Sequence, residues 1–261
     1  MVEMLARTHL NLVESSRRLV RGTATQEGKG WLLAAGGIDH PVLANAAFRT
    51  DDDADPTELL TRAREFFGAR SRGFALWARA GIGIDDDLLA AAEIAGMEVN
   101  YEMPEMILPS PVEEARLPVG ASLRRVGSEQ ELLAYWDVVA SAYGSLGFPP
   151  ELFDACRGSR ALLDDPDSAL FLACVDGEPA AVAMTVVTHG IAGVYWVGTL
   201  EHARGSGLGR AVTAAAINAG FDLGGEAASL QASHMGRSIY EAMGFTAAYD
   251  YRLLVSSPPG A

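Results

Sequence analysis

The chain has 261 residues, of which 49% are hydrophobic and 21% charged, with a formal net charge of −14 and a pI of about 4.7. That length suits one large or two ordinary domains, and the composition is globular rather than disordered. The acidity disfavours nonspecific nucleic-acid binding and mildly attracts cationic partners such as amines. Cys156 and Cys174 are too few for a disulfide framework or a zinc cage, so buried thiols in a reducing cytoplasm are expected. No apolar run is long enough to span a membrane, and residues 1–7 do not read as a secretory signal.

In chain order, the first expected helix covers 6–20, with Leu10, Val13 and Arg17 on one side. Residues 22–30 read as a polar turn, 31–35 as a strand, 36–41 as its turn and 42–48 as a second strand. Asp55-Pro56 opens a helix with proline at its first position and Glu58 placed to complete a capping box. Leu59, Leu60, Ala63, Phe66 and Phe67 give that helix its apolar face. A strand over 74–78, a helix over 85–95 closed by Gly96, and a strand over 98–108 follow. Residues 109–120, with three prolines and two adjacent glutamates, read as a linker (111–120 at its core) between domains 1–110 and 121–261.

Beyond the linker come a strand over 123–126 and an amphipathic helix introduced by Ser128 and Glu131. A second helix is expected over 150–163, then a hairpin of 170–175 and 180–187 across Asp176-Gly177-Glu178-Pro179. Residues 193–197 form an apolar strand. Leu208, Ala211, Val212, Ala215, Ala216 and Ala219 then mark a helix at 3.6-residue spacing. Between them lies Arg204-Gly205-Ser206-Gly207-Leu208-Gly209, a glycine-rich strand-to-helix turn. Helix-start amides lack carbonyl partners and favour an anion, and glycines permit close approach of a phosphate. No Lys-Ser/Thr follows, so this is not a P-loop, and the spacing fails the dinucleotide fingerprint.

The remaining pattern is RxxGxG, followed by Leu230-Gln231-Ala232-Ser233, a short helix over 235–242, and Tyr240-Glu241-Ala242-Met243-Gly244-Phe245. This order resembles motifs A and B of the GNAT superfamily of acyl-coenzyme A N-acyltransferases. The resemblance covers residues 123–255 and is only organisational before them. It implies a mixed α/β fold, mostly antiparallel, with a central splayed parallel pair flanked by helices. It further implies that Arg204, Gly205, Ser206, Gly207, Leu208 and Gly209 hold the pyrophosphate of acetyl-CoA, with Arg210 able to add charge. The pantetheine arm would pair along the strand holding Val197 and Thr199. Tyr240 would face the thioester sulfur as general acid. Ser233 stands where the family often has Asn, so it either bonds the cofactor or caps the following helix.

The two halves also rhyme. Each runs strand, strand, helix, strand, helix-Gly-apolar, strand, with Ala95-Gly96-Met97 parallel to Met243-Gly244-Phe245. Two similar domains are therefore expected, the first a degenerate copy. Where the second has Arg and glycines, the first has Asp51, Asp52, Asp53 and Asp55, and Ala92 stands in the place of Tyr240. An intrachain pseudo-dimer or a homodimer would follow. No general base stands out, since Glu201, His202 and His189 read as surface loop residues and a water relay is an alternative. No His/Cys cluster has metal spacing, so no metal is expected. The activity implied is acetyl transfer from acetyl-CoA to a small-molecule or protein amine, in the cytoplasm, without nucleic acid or membrane. A non-catalytic acyl-CoA-binding or sensing module is the alternative.

Overall fold

A computed structural model describes residues 2–19, 24–36, 40–42, 44–157 and 160–258. The expected turn positions 37–39, the helix end at residue 20, the turn residues 22–23 and positions 158–159 lie outside the described residues. The chain divides into two compact units, each drawing on distant segments. One comprises Met1–Leu19, Ile107–Leu230 and Ser238–Thr246; the other comprises Val20–Met106, Gln231–Arg237 and Ala247–Ala261. This differs from a single cut at 111–120. The reason is that the first helix and the last strand find their burial far away in sequence, which local composition cannot encode.

The second of these units holds β1 (Ala24–Gly28), β2 (Trp31–Ala35), β3 (Asn45–Arg49), α2 (Pro56–Gly68), β4 (Phe74–Ala80), α3 (Asp86–Ile94), most of β5 (Glu98–Leu108) and most of β11 (Thr246–Ser256). Its strand order is β1-β2-β3-β4-β11-β5. β3 and β4 are parallel, with α2 as the crossover, and β11 lies antiparallel to β4. β1 was expected as a polar turn; its residues are mostly exposed, so neither face carries the alternation that marks a strand. Trp31, Leu33, Leu59, Phe67, Phe74, Leu76, Leu88 and Leu254 form the core. Asp55 caps α2 by accepting from Thr57 N at 2.9 Å, rather than through a box with Glu58. Buried Arg79 donates to Asp85 and Asp52 at 2.8 Å, and buried Arg49 donates to Asp87 at 2.7 Å. Burial alone would lower the Arg79 pKa, but Asp85 and Asp52 more than offset it and hold the guanidinium above its ordinary value.

The other unit holds α1 (Val2–Leu19), β6 (Ala121–Arg125), α4 (Glu129–Gly144), α5 (Asp154–Arg157), β7 (Ser168–Val175), β8 (Glu178–Thr188), β9 (Ile191–Thr199), α6 (Leu208–Asp222), most of β10 (Ala227–Gln231) and most of α7 (Arg237–Ala242). The order is β10-β9-β8-β7-β6, with β9 and β10 parallel and the other pairs antiparallel. Ser128 Oγ caps α4 by accepting from Glu131 N at 3.2 Å, and Glu131 returns by accepting from Gly127 N at 3.0 Å. The helix expected over 150–163 is broken into 3-10 turns, Pro150–Phe153 and Arg160–Leu162, around the single turn α5. Pro149-Pro150 starts it tightly, since Pro150 brings no backbone N–H to a helical ladder.

α1 packs on β8 and β9. Its buried face is Leu5, Thr8, His9, Leu12, Val13 and Ser15, more polar than expected, while Leu10 is half-buried. Asn11, fully buried, donates from Nδ2 to Val186 O (3.1 Å), Thr188 Oγ1 (2.8 Å) and Ile191 O (2.9 Å), and accepts from the Tyr195 hydroxyl at 2.6 Å. None of the described helices is long and apolar enough to cross a membrane. Cys174 is buried and Cys156 half-buried, and burial pushes the Cys156 thiol up to about 11.

Candidate active site

The short loop Leu200–Gly207 delivers the chain from β9 to α6. Gly205 and Gly207 have φ of 76° and 90°, left-handed values that glycine adopts without steric cost. Gly207 is the N-cap of α6 and no side chain caps it. The first bond of the helix runs from Ala211 N to Gly207 O at 3.0 Å, leaving the amides of Leu208, Gly209 and Arg210 without helical partners. A Cβ on Gly205 or Gly207 would meet nothing within 4 Å, so the turn faces open space. This is the reverse of α2, whose start is already closed by Asp55.

Gly209 backs onto β9, and a Cβ there would lie 3.0 Å from Thr199 Oγ1. Leu208 is fully buried and anchors the helix start, while Ser206 Oγ donates to Ala203 O at 2.6 Å. Arg204 is exposed and folded back, donating from Nη2 to Ser145 Oγ (2.6 Å) and from Nε to Thr199 O (3.3 Å). Arg210 is exposed and reaches Ala242 O at 3.5 Å, which carries the end of α7 to the first turn of α6.

β9 extends well beyond its partner. β10 pairs with it only at Ile191, Ala192 and Gly193, whereas β8 accompanies it to Thr199. Residues 194–199, Val197 and Thr199 among them, thus keep an open backbone edge on the β10 side. A register shift lies here too, because Val182 and Met184 oppose Gly198 and Tyr195, so β9 carries an extra residue. Trp196 sits in that bulge with φ 49°, an uncommon conformation for a large side chain. The bulge re-aims the backbone groups of Trp196 and Val197 midway along the open edge. Nothing in the sequence pattern signalled it.

Tyr240 is buried near the end of α7, its ring 6.0 Å from Phe245 in an edge-on arrangement. Burial pushes its phenol up to about 12. Gly244 (φ 97°) ends the helix, with Phe245 N donating to Tyr240 O at 3.0 Å. The same closure recurs in the first half, where Met97 N donates to Ala92 O at 3.0 Å around Gly96 (φ 78°). Ser233 accepts from Gly236 N at 3.2 Å through Oγ and from Gly236 N and Arg237 N through its carbonyl, so it is engaged as a local cap. Glu201, His202 and His189 are exposed. Among the described residues no group of His, Cys, Asp and Glu could hold a metal ion.

Residues 133–245 match the model of the acetyltransferase (GNAT) family. A mycothiol acetyltransferase of Thermomonospora curvata is 30% identical over 77% of this chain and 68% of its own length. The chain belongs to the GNAT family of acetyltransferases. A mycothiol acetyltransferase of Pseudarthrobacter chlorophenolicus is 32% identical, and the alignment spans 67% of this chain but only 57% of that relative. Among solved structures, a GCN5-related N-acetyltransferase from Kribbella flavida shares the fold at a TM-score of 0.75 and 22% identity, over 98% of this chain and 96% of the other. A tandem GNAT protein from the clavulanic acid biosynthesis pathway has a TM-score of 0.65 at 14% identity, over 95% and 87%. The mixed α/β sheet with its parallel β9–β10 pair is the GNAT arrangement expected from the two motifs.

Proposed function

We propose that this GNAT enzyme transfers an acetyl group from acetyl-CoA to a primary amine by direct attack. The observation that carries this is the uncapped α6 start, open at Gly205 and Gly207, standing beside the unpaired and bulged edge of β9. Free amides at a helix start suit the pyrophosphate, and Arg204 and Arg210 add positive charge on either side. An extended pantetheine arm can add to residues 194–199 as a strand would. The bulge N–H groups then lie where they polarise the thioester carbonyl.

The amine nitrogen bonds to the carbonyl carbon, the C–S bond breaks, and its electron pair goes to sulfur. Tyr240 gives its proton to that sulfur, the nitrogen sheds a proton to water as the amide forms, and a proton from water restores the phenol. With its phenol pushed up to about 12, it stays protonated throughout the neutral range, as an acid must. A thiol of ordinary pKa near 8.5 would make full transfer uphill by about 5 kcal/mol. The desolvation that raises the phenol raises a thiolate beside it as well, which narrows the gap.

The first half is read as a copy without a working site. β3 is paired to β4 along 46–48 of its five residues, leaving no long open edge. Asp55 occupies the helix start, and Ala92 closes α3 where Tyr240 closes α7. Calorimetric titration with acetyl-CoA, paired with thiol release in the presence and absence of an amine, tests the reading. Binding with no amine-dependent release would leave a sensing module instead. No binding, or binding unchanged in a folded Gly207→Asp variant, would remove the cradle.

A further inference from the structure

Trp196 and Val197 together oppose the single residue Ala183 of β8, so β9 leaves the regular ladder at its bulge. On the other side β10 stops pairing at Gly193. Neither neighbouring strand therefore fixes the peptide planes that stand beside the thioester carbonyl. Trp196 nevertheless holds a φ of 49°. So uncommon a conformation for a large residue persists only where its surroundings impose it. Here two side-chain anchors impose it, one on each residue of the Tyr195-Trp196 pair.

The first anchor is the Trp196 ring, whose centroid lies 5.2 Å from Tyr143, 5.4 Å from Phe153 and 6.1 Å from Trp136. The second is Tyr195. Its buried hydroxyl donates to Asn11 Oδ1 at 2.6 Å. Its ring folds back over Gly193, where a Cβ would collide with that ring and with Asn11 Oδ1. Asn11 is itself held, because Nδ2 donates to Val186 O, Thr188 Oγ1 and Ile191 O around the β8–β9 turn. The Trp196 N–H belongs to the peptide that joins the two anchored residues. Resting on the acetyl-transfer reading, we propose that Asn11 and Tyr195 are positioning residues. Through the Tyr195 hydroxyl, the amino-terminal helix α1 sets the orientation of the bulge peptides and hence how strongly they polarise the thioester carbonyl.

A bulge anchored by the Trp196 ring alone keeps freedom about the bonds flanking the 195–196 peptide. Preorganised donors act only when held within about 0.5 Å and 10–20° of the productive geometry. Removing the Tyr195 hydroxyl takes away no cofactor contact, since the arm pairs with backbone and the pyrophosphate sits on the α6 amides. The loss therefore falls on the chemical step rather than on binding. General bracing by α1 is separable from this. Arg7 fastens the same helix before β9 begins, donating to His189 O at 2.7 Å and to Glu226 Oε2 at 2.9 Å.

The test uses the full chain and acetyl-CoA carrying a heavy-carbon label at the acetyl carbonyl. Calorimetry gives its Kd, and infrared difference spectroscopy gives the stretch of its bound carbonyl. That stretch is expected below the value for free acetyl-CoA, because polarisation weakens the C=O bond. Tyr195→Phe should return it most of the way to the free value. The same variant should lower saturating thiol release, with hydroxylamine as nucleophile, by about 10- to 10²-fold while Kd stays within about threefold. Arg7→Met should reduce stability yet leave the stretch and the rate unaltered. Asn11→Ala, read below its melting temperature, should match Tyr195→Phe, and combining the two should lower the rate no further. A folded Tyr195→Phe with an unaltered stretch, a loss confined to Kd, an equal shift in Arg7→Met, or no shift in the unaltered chain overturns this proposal and leaves the cofactor reading standing. Failure to bind acetyl-CoA overturns the underlying reading as well. Should Tyr195→Phe fail to fold, Asn11→Ala decides; should hydroxylamine react no faster than in free solution, the stretch decides.

Discussion

Asn11 ties the amino-terminal helix to the strand proposed to carry the acyl arm, and its removal should be felt far beyond its size. The side chain is fully buried and makes four short hydrogen bonds, to Val186 O, Thr188 Oγ1 and Ile191 O, and from the Tyr195 hydroxyl. Asn11→Ala deletes all of them. The two Nδ2 hydrogens and the Oδ1 acceptor amount to about three net bonds at ~1 kcal/mol each, and buried polar groups losing this partner add up to ~2 kcal/mol, so the sum is about 3–5 kcal/mol. At about 2–4 °C per kcal/mol for a chain of this size, the melting temperature should fall by roughly 6–20 °C. Thermal denaturation followed by circular dichroism measures it. Tyr195→Phe should cost less alone, and the double variant should show a coupling of about 1–2 kcal/mol, since the bond the two residues share can be lost only once. A drop below 2 °C in Asn11→Ala, or strict additivity, would refute the claim that this pair braces β9. A fragment starting at residue 120 lacks α1 altogether and should be unstable for the same reason.

Four further outcomes are expected. Gly207→Asp should abolish acetyl-CoA binding by calorimetry in a folded protein, because a carboxylate would stand in the open anion site and the position has φ 90°. Tyr240→Phe should lower kcat by about 10²- to 10⁴-fold with a small change in the apparent KM for acetyl-CoA; near-normal turnover would demote it to packing. The raised Tyr240 pKa has a sign that can be checked. The folded state holds the proton from pH 10 to about 12 while the unfolded chain loses it, so stability is fully present below pH 10 and falls as pH rises towards 12. Tyr240→Phe should flatten that fall, and the profile of kcat should show no alkaline limb from this group below pH 10. Titration should give one coenzyme A per chain, and a stoichiometry of two would sink the reading of the first half as an empty copy.

Much of the proposed site is local and was therefore legible. The left-handed glycines at 205, 207 and 244, the Asp55 and Ser128 caps, and the amphipathic faces of α2, α4 and α6 follow from residue chemistry over a few positions. The parallel strand–helix–strand order around Arg204 follows from them, because a short crossover through a helix returns the chain in the same direction. Other features depended on contacts between residues far apart. The sequence could not tell that α1 packs on β8 and β9, since its buried face mixes Thr8, His9 and Asn11 with leucines and partners lie about 180 residues away. Nor could it decide between Ser233 as a cofactor contact and as a cap of its own following turn, or tell that Arg204 would rest on Ser145. The bulge at Trp196 is the plainest case. A strand of apolar residues reads the same with or without an extra residue, and only pairing against β8 decides where that residue is extruded.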